Sequence, residues 1–171
     1  FYKTFYVPNN AVLVIAGDID QAKTKELIAK YYGEIPKGKG AIPRPTEVEP
    51  VQKAEKRVKF YDNVQLPGVI LAYHTPKQGT HDYYAIQMLT GLMSKGKSSR
   101  FEKEIVDKQE KALQAAAFDL GNEEPGLAIM LGIANMGVTA DVLEASMLAE
   151  IEKLKKNGVT DEEFQKLQNQ A

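Results

Sequence analysis

The sequence predicts an α+β domain, with a mostly antiparallel or mixed sheet covered by helices on one face. Three observations carry this. Short apolar runs with a period of two come in neighbouring pairs, which suits antiparallel strands. Amphipathic stretches with a period near 3.6 follow those pairs instead of alternating with single strands, which argues against a parallel β/α repeat. Each stretch is bounded by recognisable capping or breaking residues.

The first apolar run is Ala11–Ala16, between Pro8-Asn9-Asn10 and Gly17-Asp18. It is continuous, so it reads as a strand buried on both faces. Asp20 then caps a helix to about Tyr32, with Leu27, Ile28, Tyr31 and Tyr32 as its apolar stripe and Gly33 as its stop. Residues 36–50 contain Pro36, Pro43, Pro45 and Pro50 with Gly38 and Gly40, and predict a flexible linker. Arg57–Tyr61 alternates, and Val69–His74 is a second apolar run. The two are expected to pair antiparallel through a turn at 62–68.

Asp82–Met93 predicts a helix with Tyr84, Ala85, Met88, Leu89 and Leu92 on one side. Ser99-Arg-Phe-Glu102 has the pattern of a capping box opening a further helix to about Lys108. Lys111–Leu120 and Leu127–Asn135 predict two more strands around the turn 121–126. In the second, Leu127, Ile129, Leu131 and Ile133 alternate with small or flexible residues. Thr139–Asn157 is the longest helix, with Met147, Leu148, Ile151 and Leu154 toward the core and Gly158 as its stop. Thr160-Asp-Glu-Glu163 is a second capping box.

The 171 residues suit one domain, 1–171, with the linker 36–50 inside it. A chain of this size buries roughly 70% of its unfolded surface, so it needs neither disulfide nor metal to fold. Phe1 already lies in a patterned segment, and the last helix reads as unfinished. Both suggest a fragment of a longer parent, whose targeting signals and compartment the sequence leaves unknown. The 22 basic and 23 acidic residues form no basic stripe, which argues against nucleic acid. No apolar run approaches the roughly 18 residues that span a bilayer. The chain has no cysteine, so thiolate zinc sites and disulfides are excluded.

Several patterns suggest chemistry. Gly91-Leu-Met-Ser-Lys-Gly96-Lys97-Ser98 matches the phosphate-loop pattern G-x-x-x-x-G-K-[ST], a nucleotide-binding alternative at 91–98. That chemistry needs a strand running into the first glycine, so that loop N–H groups and the next helix wrap a phosphate. A helix is predicted there, so a helix–turn–helix corner is favoured. His74 and His81 are the two histidines, and neither H-E-x-x-H nor H-x-x-E-H occurs. No serine sits in G-x-S-x-G. The residues therefore point to no catalytic, cofactor-binding or metal-ligating set within the chain.

Phe1-Tyr-Lys-Thr-Phe-Tyr-Val-Pro-Asn-Asn10, then Ala11-Val-Leu-Val-Ile-Ala-Gly-Asp18, then Gly96-Lys-Ser-Ser-Arg100 resemble the pitrilysin/insulinase family of zinc metallopeptidases, in its processing-peptidase-like branch. The resemblance extends over essentially the whole chain, and its G-x-S-S-R stretch accounts for the apparent phosphate loop. It implies the second, non-catalytic domain of a zinc-bearing half, with the zinc held by an upstream domain. There, H-x-x-E-H and a later glutamate bind the metal, and the motif glutamate takes a proton from the attacking water. It also implies a role as a wall of a chamber for unfolded peptides. The same fold serves as a non-proteolytic core subunit of larger complexes, which is the alternative. Many relatives carry an arginine and, seven residues later, a tyrosine that steady the oxyanion. Aligned from Arg100, those positions here are Val106 and Leu113. The resemblance therefore implies a partner subunit or fused repeat that bears the pair, unless Arg100 itself serves as the donor.

Overall fold

A computed structural model describes residues 1–44 and 46–170. They fall into two compact units, Phe1–Val58 and Lys59–Ala171.

The first unit holds a short helix α1 (Tyr2–Phe5), a 3-10 turn at Pro8–Asn10 and helix α2 (Gln21–Tyr32). Asp20 caps α2 as expected, its carboxylate accepting from the Lys23 amide at 3.0 Å. Asn9 accepts from the Gly38 amide at 2.8 Å, which ties the start of the linker back to the N-terminal turn. Residues 36–44 and 46–50 form no regular element.

Two expected strands do not form. Ala11–Ala16 is irregular, and Val12 and Val14 are almost fully exposed. Arg57–Tyr61 is likewise irregular, with Phe60 and Tyr61 exposed, so it makes no hairpin with the run that follows. A strand exists only as part of a hydrogen-bonded ladder. Apolar composition marks these runs as suited to a sheet, but among the described residues neither has a ladder partner. The α2 stripe is also open, since Leu27, Tyr31 and Tyr32 are all exposed.

The second unit is a three-stranded antiparallel sheet in the order β1-β3-β2, with β1 Gly68–Thr75, β2 Ala112–Leu120 and β3 Gly126–Ala134. The β2–β3 hairpin forms as predicted, whereas β1 pairs with β3 and not with residues 57–61. Helices α3 (His81–Ser94), α4 (Ala140–Asn157) and α5 (Asp161–Gln170) and a π-helix (Glu102–Lys108) complete the unit. The observed architecture is α+β with an antiparallel sheet.

The face of β3 that meets the helices is the opposite of the obvious one. Gly126, Ala128, Gly132 and Ala134 are buried, while Leu127, Ile129 and Leu131 are only half-buried. Small residues let the helices come close. A Cβ at Gly132 would lie 3.0 Å from a Leu143 methyl and 3.1 Å from the Met147 sulfur. With Ala115, Ala117 and Ala134 beside it, this flat floor receives the large side chains of the other layer. Met93, Phe101, Ile105, Leu143 and Met147 are the buried centre of the core.

Thr139 caps α4 by accepting from the Val142 amide at 3.3 Å, and Gly158 ends it with φ 71 and ψ −161. That region is open only to glycine. The Thr160–Glu163 box closes in both directions: the Thr160 amide donates to Glu163 at 3.0 Å and the Glu163 amide to Thr160 Oγ1 at 3.2 Å. The box expected at Ser99 does not close. The Ser99 hydroxyl is buried without a hydrogen-bond partner among the described residues, and Glu102 turns instead to Lys97 Nζ at 2.6 Å. The helix it was expected to open is wound as a π-helix, with Gln109 N–H donating to Glu104 O. The next residue, Glu110, is the described non-glycine residue with positive φ, at 51°.

Candidate functional site

The corner between α3 and the π-helix holds the motif that most resembles a ligand site. Gly91 lies inside the last turn of α3, its carbonyl accepting from the Lys95 amide at 2.7 Å. A phosphate loop would need that glycine to leave a strand. The cations of the corner are engaged with protein groups. Lys97 binds Glu102, Lys95 Nζ donates to the Gln170 carbonyl at 2.9 Å, and Lys166 makes a short contact with Ser98 Oγ. The corner is a seat for α5.

Arg100 is the strongest anchor of that seat. Its Nε and Nη2 each donate to a Glu163 oxygen at 2.8 Å, and Nη2 also donates to the Gly158 carbonyl at 3.0 Å. Both side chains are largely covered, at 16% and 26% exposure. The guanidinium first, and then the Thr160 amide and hydroxyl, hold the Glu163 carboxyl down at about 2 against an opposing effect of burial. Glu163 in turn raises Arg100 above its ordinary value. A bidentate pair of this kind fixes geometry as well as charge. The arginine is spent on the α4–α5 turn and is not presented to a ligand. Its glutamate partner, 63 residues away, was not evident from the sequence; the legible signal was only the capping box that contains it.

Val106 packs against the buried core, and Leu113 stands 62% exposed at the register shift between Ala112 and Gln114. Neither side chain can donate a hydrogen bond.

The histidines do not come together around a metal. His81 is the first residue of α3 and its Nδ1 stands 3.6 Å from Asp82, with both side chains open to solvent. His74 belongs to β1. No group of three or more His, Cys, Asp or Glu residues with metal-binding geometry occurs among the described residues. A zinc site needs three or four converging ligands, and among the described residues His74 and His81 are not part of such a group.

One polar cluster lay outside the sequence reading. Tyr83, in the first turn of α3, is buried, and its Oη accepts from Gln87 Nε2 at 2.8 Å. Burial first, and then the neighbouring Asp119 carboxylate, push the phenol above its ordinary value. Both Asp119 oxygens are buried and outside hydrogen-bonding geometry with any described residue. Asp119 sits in an apolar strand whose pattern gives no hint of a covered carboxylate.

Among the described residues no helix is long and apolar enough to cross a membrane. The family described as Peptidase M16 inactive domain matches residues 1–171. A curated relative, the zinc protease PqqE of Helicobacter pylori, is 33% identical over 169 residues. The match takes in 98% of this chain and 38% of that protein, so the chain spans well under half the length of its relative. The crystal structure of a protease from Helicobacter pylori superposes with a TM-score of 0.88 at 32% identity, covering 96% of this chain and 40% of that one. A peptidase M16 inactive domain from Pseudomonas fluorescens shares the fold, with a TM-score of 0.65 at 18% identity over 90% of this chain and 37% of its own. The chain belongs to the peptidase M16 inactive-domain family, the non-catalytic domain of a family of zinc proteases.

Proposed function

We propose that this domain packs on an upstream zinc domain of the same parent and forms part of the wall of a chamber that receives unfolded peptides. The observation that carries the reading is the match of the peptidase M16 inactive domain to residues 1–171. In this reading zinc and the general base belong to the upstream domain, which the chain's share of its relative leaves room for. This domain contributes surface, spacing and shape.

The half that supplies the oxyanion donors is a separate subunit or a fused repeat. Support comes from Val106 and Leu113, which have no donor to offer, and from Arg100, whose guanidinium is committed to Glu163 and Gly158. The parent subunit, purified alone and assayed on an unstructured peptide, is expected to be nearly inactive and to gain activity when the second half is added. Full activity of a lone subunit that has no such half would overturn this. So would Arg100→Ala abolishing turnover in a protein that still melts as a folded one.

A further inference from the structure

We draw no further inference here: the strongest candidate, the apolar groove of about 350 Å³ between α3, β3 and the α4–α5 turn, lined by Leu89, Met93, Met130, Ile151, Leu154 and Val159, carries none because nothing in the structure shows what covers it.

Discussion

Arg100 shows how one side chain can be misread from sequence alone. In the chain it follows two serines and a lysine, surroundings that suggest a ligand. In the fold it is a clamp. Removing it leaves the Glu163 carboxylate half-buried without its partner, so Arg100→Ala is expected to cost about 2 kcal/mol in denaturant unfolding. The pair also sets an acid limit. Glu163 is depressed from 4.5 to about 2 in the fold, so its contribution is complete above pH 4.5 and is lost as pH falls toward 2. Wild type should lose stability across that window, and Glu163→Gln should lose less over the same range. Glu110 makes a smaller test of the same kind. At φ 51 it occupies a left-handed conformation that glycine adopts without strain. Glu110→Gly is expected to be neutral or stabilising by up to about 1 kcal/mol, whereas Glu110→Val should destabilise the fold. A lower melting temperature for the glycine variant would show that Glu110 is not strained.

At the scale of elements, what could be read from the sequence was whatever local chemistry decides. The caps at Asp20 and Thr160 and the stop at Gly158 are short-range hydrogen bonds and backbone preferences, and each lies where the residues placed it. The β2–β3 hairpin is local too. What could not be read depends on distant partners. Ala11–Ala16 and Arg57–Tyr61 have strand composition, but a ladder is made between segments. The covered face of β3 is a similar case. Period two says that the faces differ, but only the approach of α4 decides that the glycine and alanine face is the inner one. The Ser99 box failed because a neighbouring lysine competed for Glu102. At the candidate site, the family was legible in the stretches 1–18 and 96–100, but the roles of Arg100 and Asp119 were not, because their environments come from other elements. Two substitutions test the packing. Gly132→Leu should collide with Leu143 and Met147 and cost about 3 kcal/mol or prevent folding, with Gly132→Ala milder at about 1 kcal/mol. Gly158→Ala should cost about 2 kcal/mol because its backbone region excludes a Cβ. A Gly132→Leu protein as stable as wild type would mean that α4 does not sit on β3.

For the whole molecule, the two units differ in how they bury apolar surface. Lys59–Ala171 has a continuous core, while Phe1–Val58 leaves Val12, Val14, Tyr31 and Tyr32 open. Limited trypsin digestion is expected to cut first at Lys37 or Lys39, where no regular hydrogen bonding protects the backbone. First cuts inside α4 would count against this. The central claim is that the domain serves a zinc peptidase without carrying its chemistry. It is tested most directly by purifying the full-length protein and residues 1–171 without chelator and measuring zinc per chain beside hydrolysis of an unstructured peptide. The account predicts zinc in the full-length protein, with hydrolysis once its second half is present, and neither zinc nor hydrolysis in the domain. One zinc per chain in the domain alone, lost on His74→Ala or His81→Ala, would contradict it.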